Sequence, residues 1–418
     1  MRSTGAFWMI ALILFLLDCY VFQAVKTVTQ PLSERAKFYI HAAFWVVSVL
    51  TLLALLAFPF VPVLQASKIF RNYVFAILAG LFLAKLIASV LFLTDDIRRL
   101  ALWAITKFSR NTGGQFLGDG QAISRSTFMS WLGLAFGGTL FGTLLYGFGN
   151  KYNYQLKKIT LTFNSLPKAF DGLKLVHISD IHSGSFQNPN AVNKGVDLIL
   201  AQNPDLILFT GDLVNDRATE MNEYKAIFRR LKAPMGVYSI LGNHDYGDYV
   251  SWPTEAEKMA NLDQLKKVHA EMGWYLLMNE HILFGKEEEQ LALIGIENWG
   301  AKGRFPKYGK MDQAYAGTEK IPFKVLLSHD PSHWDAQVKT LYPTIDLMLS
   351  GHTHGMQFGI ENPYFKWSPV QWMYKQWAGL YEDGSQKLYV NRGFGFIGYP
   401  GRVGVLPEIT LITLNVKG

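Results

Sequence analysis

Ser350-Gly351-His352-Thr353-His354-Gly355 decides how this chain is read. On an extended segment residues i and i+2 point to the same side, so His352 and His354 face one way. Gly351 lets the backbone come close to whatever they bind. Ligands so closely spaced suit two metal ions about 3.5–4 Å apart, the spacing of two-metal phosphoryl-transfer sites. A lone His-x-His is more often a surface or core pair, so the weight falls on what stands upstream.

The same pattern recurs. Apolar runs at 173–179, 205–210, 236–241 and 324–328 end in Asp180-Ile181-His182, Gly211-Asp212, Gly242-Asn243-His244-Asp245 and His329-Asp330, and the run at 345–349 leads into the opening stretch. Short apolar runs bounded by turn residues read as buried strands, and open α/β sheets place their sites at the carboxyl ends of strands. One such cluster reads as a turn; five in succession read as a site. Helical patterns at 190–201, 220–231 and 254–272 lie between them, with further strands at 159–163, 274–277, 281–284, 291–296, 388–390 and 409–414.

Together Asp180, His182, Asp212, Asn243, His329, His352 and His354 offer seven oxygen or nitrogen ligands, with Asp212 free to bridge. Imidazole with carboxylate suits zinc, iron or manganese, and manganese or magnesium tolerate the oxygen-rich part. Two divalent ions against two carboxylates leave a positive charge of about two, which favours hydroxide plus phosphate. The ions would also stabilise charge on the phosphoryl oxygens in the transition state. No protein nucleophile is required. His244 points away from the metal of Asn243 and is placed to protonate a leaving oxygen, with Asp245 expected to fix its tautomer. His177, His269, His281 and His333 read as structural.

Residues 1–150 differ in character from 151–418. Four apolar runs, 5–25, 38–60, 72–93 and 128–148, are long enough to span a bilayer, which takes about 20 residues. No small-residue cleavage site follows the first, so it is expected to stay as a helix. Asp18 and Lys85 interrupt two spans and are expected to pair or to reach the interface. Gly133-x-x-x-Gly137 and Gly138-x-x-x-Gly142 allow close helix packing. Within the loop 94–125, residues 98–107 read as a basic surface helix and 113–120 as a turn. Lys and Arg number eight in the first and third loops against three to six on the other side, which places the C-terminal domain outside the cytoplasm. The net charge of +7 fits anionic headgroups, and no nucleic-acid motif is present. The single cysteine, Cys19, excludes a disulfide framework. The aromatic residues between Tyr364 and Tyr381 are dense enough for a membrane-facing belt or an acyl pocket, or for ordinary packing.

From about 155 to 415 the chain resembles the calcineurin-like metallophosphoesterases. The shared pattern is Asp180-x-His182, Gly211-Asp212, Gly242-Asn243-His244-Asp245, a lone His329, then Gly351-His352-x-His354. The resemblance implies an α/β fold, a four-layer α/β/β/α sandwich, here preceded by a four-helix transmembrane region. It implies one metal held by Asp180, His182, Asp212 and His354 and a second by Asp212, Asn243, His329 and His352, with His244 catalytic. Asn215 departs from the family pattern, which has an Asp there that is not a metal ligand. The stretches Asn391-Arg392-Gly393-Phe394-Gly395, Pro400-Gly401-Arg402 and Pro407-Glu408-Ile409-Thr410-Leu411 look like the membrane-associated branch, which includes bacterial membrane phosphodiesterases and UDP-2,3-diacylglucosamine pyrophosphatases. Arg392 and Arg402 are candidate phosphate ligands. The expectation is a phosphoesterase of a bacterial plasma membrane acting on a phosphodiester or pyrophosphate of a lipid or glycolipid. The alternatives are a catalytically inactive binding scaffold on the same fold and a transport or sensor module run by the helices.

Overall fold

The computed structural model describes residues 4–58, 60–61, 68–108, 125–303 and 305–417. The chain forms two compact units, Met1–Tyr146 and Gly147–Gly418.

The first unit is helical: α1 (Thr4–Thr29), α2 (Glu34–Ala57), α3 (Lys68–Phe108) and α4 (Arg125–Gly147). All four are long and apolar enough to cross a membrane. α3 runs on past Leu93 to Phe108 as one helix, so the helix expected at 98–107 is continuous with the third span and not separated from it by a loop. Nothing from Thr94 to Lys107 breaks it, and its charges are matched one turn apart, Arg98 with Asp95 at 2.8 Å and Arg99 with Asp96 at 3.8 Å. The turn expected at 113–120 lies outside the described residues. Asp18 and Lys85 form an ion pair with Asp18 buried. The two glycine motifs behave differently. A Cβ at Gly137 would come within 2.6 Å of the Ala84 carbonyl on α3, whereas at Gly138 and Gly142 it would meet nothing.

In the second unit, residues along each central strand alternate between two cores. Leu175, Leu206 and Leu208 face one, and Val176, Ile207 and Phe209 the other. A strand buried on both faces carries apolar residues at every position, which is why these strands read as continuous runs. Their order follows from β1 (Gln155–Phe163), β2 (Leu173–Ile178), β3 (Leu206–Phe209), β4 (Val237–Ser239), β5 (Tyr275–Leu276) and β14 (Glu408–Val416), which make one sheet in the order β1-β14-β2-β3-β4-β5. From β2 to β5 it is parallel. The second sheet has β6 (Glu280–Lys286), β7 (Glu289–Gly295), β8 (Phe323–Leu327), β9 (Leu347–Ser350), β12 (Gly379–Asp383) and β13 (Gln386–Val390), in the order β12-β13-β9-β8-β7-β6. A small hairpin, β10 (Ile360–Glu361) with β11 (Lys366–Trp367), stands apart.

Leu175, Leu208 and Tyr238 of the first sheet meet Leu293, Val325 and Leu349 of the second in the central core. The helix α5 (Pro189–Leu200) covers the outer face of the first sheet with Val192, Val196 and Ile199, and α6 (Glu255–Met272) with Leu265 and Val268. Met311, Trp334 and Val338 cover the outer face of the second. The result is four layers, α/β/β/α. Each fully buried Leu or Val contributes roughly 1.5–3 kcal/mol. The helix expected over 220–231 is not continuous. Met221, Tyr224, Phe228 and Leu231 are buried at helical spacing, but the backbone is mostly a succession of i to i−3 turns.

Candidate metal centre

Five strands of the two sheets deliver the candidate ligands from their carboxyl ends. Loops after β2, β3 and β4 carry Asp180 and His182, Asp212, and Asn243; loops after β8 and β9 carry His329, and His352 with His354. Backbone bonds hold these loops together: the Asp180 N–H donates to the Gly211 carbonyl at 2.9 Å, His182 to Asp212 at 3.1 Å and Gly351 to His329 at 3.0 Å. Asp180, His182, Asp212, His352 and His354 all have positive φ, between 48° and 69°. Non-glycine residues in that region each cost about 1–3 kcal/mol, and such strain gathers at functional sites. A Cβ at Gly351 would overlap the Asp180 carboxylate, so only glycine admits the strand to this position.

The ligand atoms form two groups. Those of Asp180, His182 and His354 lie within 4.8 Å of one another, and so do those of Asp212, His329 and His352. Asn243 joins the second, its Oδ1 at 2.8 Å from His352 Nδ1. Asp212 stands between them, with Oδ2 at 3.2 Å from His329 Nε2 and 3.5 Å from His182 Nε2. The Nε2 atoms of His182 and His354 are 3.1 Å apart and buried. A single proton can sit between two such nitrogens, whereas a cation takes both lone pairs.

The electrostatics ask for positive charge here. Burial works to raise Asp180 and Asp212, yet the neighbouring imidazoles hold both below the usual carboxylate range. His329 is opposed by burial but pushed up to about 10 by Asp212. Burial takes His182 well below its ordinary value and also lowers His352 and His354. Two buried carboxylates with four imidazoles as their neighbours fit two divalent ions.

His244, half-buried, lies beside both groups, its ring centroid 5.0 Å from that of His182. Its Nδ1 is 2.8 Å from the Asn215 carbonyl, and its backbone N–H donates to Asp212 Oδ1 at 2.8 Å. The expected role of Asp245 is corrected. Its carboxylate does not orient His244 but accepts the N–H groups of Gly242 and Asp212 on one oxygen and of Leu213 and Val214 on the other, at 2.8–3.2 Å. It clamps the loops after β3 and β4. Burial, then the Asp212 charge, pushes it up to about 7 against those donors.

Both arginine assignments are corrected as well. Arg392 is paired with Glu361 and Glu408. Arg402 is buried, donating to the carbonyls of Arg392 at 2.7 Å and of His354 at 3.3 Å. Its Nη2 lies 3.1 Å from His354 Nδ1. Neither guanidinium is presented to a substrate. The four histidines read as structural each bond a neighbour away from the metal centre, for example His269 with Ser239 at 2.9 Å and His333 with Ser328 at 3.0 Å.

Further residues meet at the centre that the sequence did not assign to it. The Tyr374 hydroxyl lies 2.9 Å from His352 Nε2 and donates to Asp330 at 3.3 Å. Tyr249 accepts from Asn243 at 2.8 Å and packs on His244. Phe305 meets the His352 ring edge-on at 5.0 Å. Asp330 adjoins His329 in the cluster that ends β8, which is its signal in the sequence; the aromatics follow no spacing rule.

Both units resemble known proteins. Residues 1–150 match the transmembrane domain of the calcineurin-like phosphoesterases, and residues 173–356 match the calcineurin-like phosphoesterase family. The uncharacterized metallophosphoesterase YkuE of Bacillus subtilis is 30% identical over 311 residues, 70% of this chain and 98% of that protein. A transmembrane protein with metallophosphoesterase domain from Danio rerio is 30% identical over 62% of this chain, which spans 56% of that protein. An uncharacterized metallophosphoesterase of Campylobacter jejuni is 28% identical, covering 63% of each. The chain belongs to the calcineurin-like metallophosphoesterases, hydrolases of phosphoesters that use two divalent metal ions, and is an integral membrane protein of that family.

Proposed function

We propose that this protein hydrolyses a phosphodiester or pyrophosphate carried by a membrane lipid or glycolipid, with His244 assisting the leaving group. One observation carries the reading: ligands from two sheets meet around Asp212 in a chain that also contributes four membrane-long helices. Asp180, His182, Asp212 and His354 would hold one ion, and Asp212, Asn243, His329 and His352 the other. Bound there, two divalent ions supply Lewis acidity and a hydroxide nucleophile near neutral pH.

The chain's own residues do the rest. A carbonyl accepts, so His244 Nδ1 carries its proton toward Asn215. Nε2 is then the nitrogen that delivers a proton to a leaving oxygen. The bond from the His244 N–H to Asp212 ties the position of this acid to the shared carboxylate. Asp245 keeps both loops in register. The membrane anchor favours substrates of the bilayer surface. The Lys and Arg excess of the short loops supports a catalytic unit outside the cytoplasm, and relatives such as that of Bacillus subtilis support a bacterial plasma membrane.

The test is the full chain in lipid nanodiscs with manganese, assayed on a panel of lipid phosphodiesters and pyrophosphates and on an aryl phosphodiester. Headgroup release that is lost in His244→Ala is expected. Turnover of the aryl ester with no lipid cleaved would remove the lipid half of the proposal. A folded protein with no bound metal and no turnover would favour the binding scaffold.

A further inference from the structure

The segment following the second metal-ligand histidine exposes an unusual amount of apolar surface. Met356, Ile360, Tyr364, Phe365, Trp372 and Met373 are all exposed, Tyr364 at 97% and Trp372 at 74%. The segment is ordered by its own bonds. At the hairpin tip Asn362 Oδ1 accepts the N–H groups of Tyr364 at 2.9 Å and Phe365 at 2.8 Å. Ser368 caps the next turn and donates to the Gly355 carbonyl at 2.8 Å. The aromatic residues therefore stand out from a rigid support.

Two connections within the catalytic unit lead from this surface. One leads to the chain's exit from the membrane. The last apolar span ends at Asn150, and its final residues belong to the catalytic unit. There Arg402 donates its N–H to the Gly147 carbonyl at 2.9 Å, and Phe148 packs on Tyr399 at 5.6 Å. Val403 then bonds Gln357 at 2.8 Å, and Gly359 bonds Val403 at 2.9 Å. Two short links thus join the end of the span to the base of the exposed hairpin. The other connection leads to the metal centre, since Met356 lies two residues beyond His354 and Tyr374 touches His352.

We propose that 356–373 is a membrane-docking surface, which rests Tyr364, Phe365 and Trp372 in the headgroup layer of the bilayer that the helices cross. Its partner is the lipid surface. Aromatic rings with an apolar body prefer this interfacial depth, and rigid rings lose little freedom on entering it. Docking would hold the metal centre at the level of the phosphates. This deepens the proposed lipid-substrate reading and rests on it for its purpose.

Cys19 is the only cysteine, so Cys19→Ser gives a background for single labels. The full chain would carry an environment-sensitive fluorophore at Tyr364→Cys or Trp372→Cys, and at Met259→Cys or Tyr275→Cys as exposed controls. Each is reconstituted in phosphatidylcholine vesicles containing nitroxide lipids. A label seated about 5–10 Å into the interface is expected to lose about half its emission or more, while the controls keep theirs. Quenching at 364 and 372 no greater than at 259 and 275 would overturn the proposal. So would labels that become shielded without quenching, since a protein would then cover the surface. The readout needs no turnover. Quenched labels in a protein that cleaves only soluble esters would keep the docking surface and remove the lipid substrate; unquenched labels with lipid turnover would do the reverse.

Discussion

Gly393→Ala tests whether the backbone around the C-terminal stretch holds the metal ligands in place. Gly393 has φ +85°, and a Cβ there would lie 2.8 Å from His354 Nδ1, 3.0 Å from His354 Cε1 and 3.1 Å from Asp180 Cβ. The left-handed conformation costs a non-glycine residue about 1–2 kcal/mol. Relieving the contact to an ordinary 3.4 Å moves the His354 ring by about 0.6 Å. Functional side chains tolerate about 0.5 Å, and disturbing the support of a metal ligand typically costs about 10–100-fold in affinity or activity. The expected result is a 10–100-fold rise in the manganese concentration needed for half-maximal activity, with a matching loss of metal per chain by mass spectrometry. Gly384→Ala is the control. Its φ is +61° and a Cβ there meets nothing within 4 Å, so it shares the backbone cost without the contact. Similar melts for the two variants with undiminished metal affinity in Gly393→Ala would refute the reasoning.

Four further outcomes are expected. His244→Ala should lower kcat by about 10²–10⁴ with metal content unchanged; loss of metal would mean a structural role. Asp245→Ala orphans four backbone N–H groups and should destabilise the catalytic unit by roughly 4 kcal/mol at about 1 kcal/mol each; an unchanged melt would contradict the clamp. Burial lowers His269 to about 3 and His333 to about 4 from 6.5. A lowered histidine contributes stability that is present above the unfolded value and lost as pH falls through the folded one. The stability of the catalytic unit, read by urea unfolding followed by tryptophan fluorescence, should therefore fall from about pH 6.5 towards pH 4, less so in His269→Gln; no slope in that window would refute it. Chelation should abolish activity and lower the melting temperature, both restored by manganese, because ligands that bind only the folded state stabilise it.

Much of the fold was legible because five strands are buried on both faces and end in residues that no core or turn explains together. The four long helices were legible for the simpler reason of length and composition. Where local pattern and local physics agree, as in the Thr254 cap and Gly273 terminus of α6, boundaries came out close. Where they part, they did not. The charged Asp95-to-Arg99 segment read as the start of a loop, but pairing one turn apart lets α3 continue through it. Residues 220–231 have helical spacing but turn-like backbone bonds.

The sequence by itself determined which residue types stand at the strand ends, and thus the chemistry open to the site. Tertiary structure decided their roles. Asp245 adjoins His244 in the chain, yet its carboxylate is spent on loops after two strands, while His244 finds its partner in Asn215, 29 residues away. Arg392 and Arg402 are basic and near the centre, yet Glu361, Glu408 and buried carbonyls take up their charge. His244 and Asp245 sit in a tight turn, and a buried polar group bonds whatever the fold brings to it. That partner is chosen by the packing of distant segments.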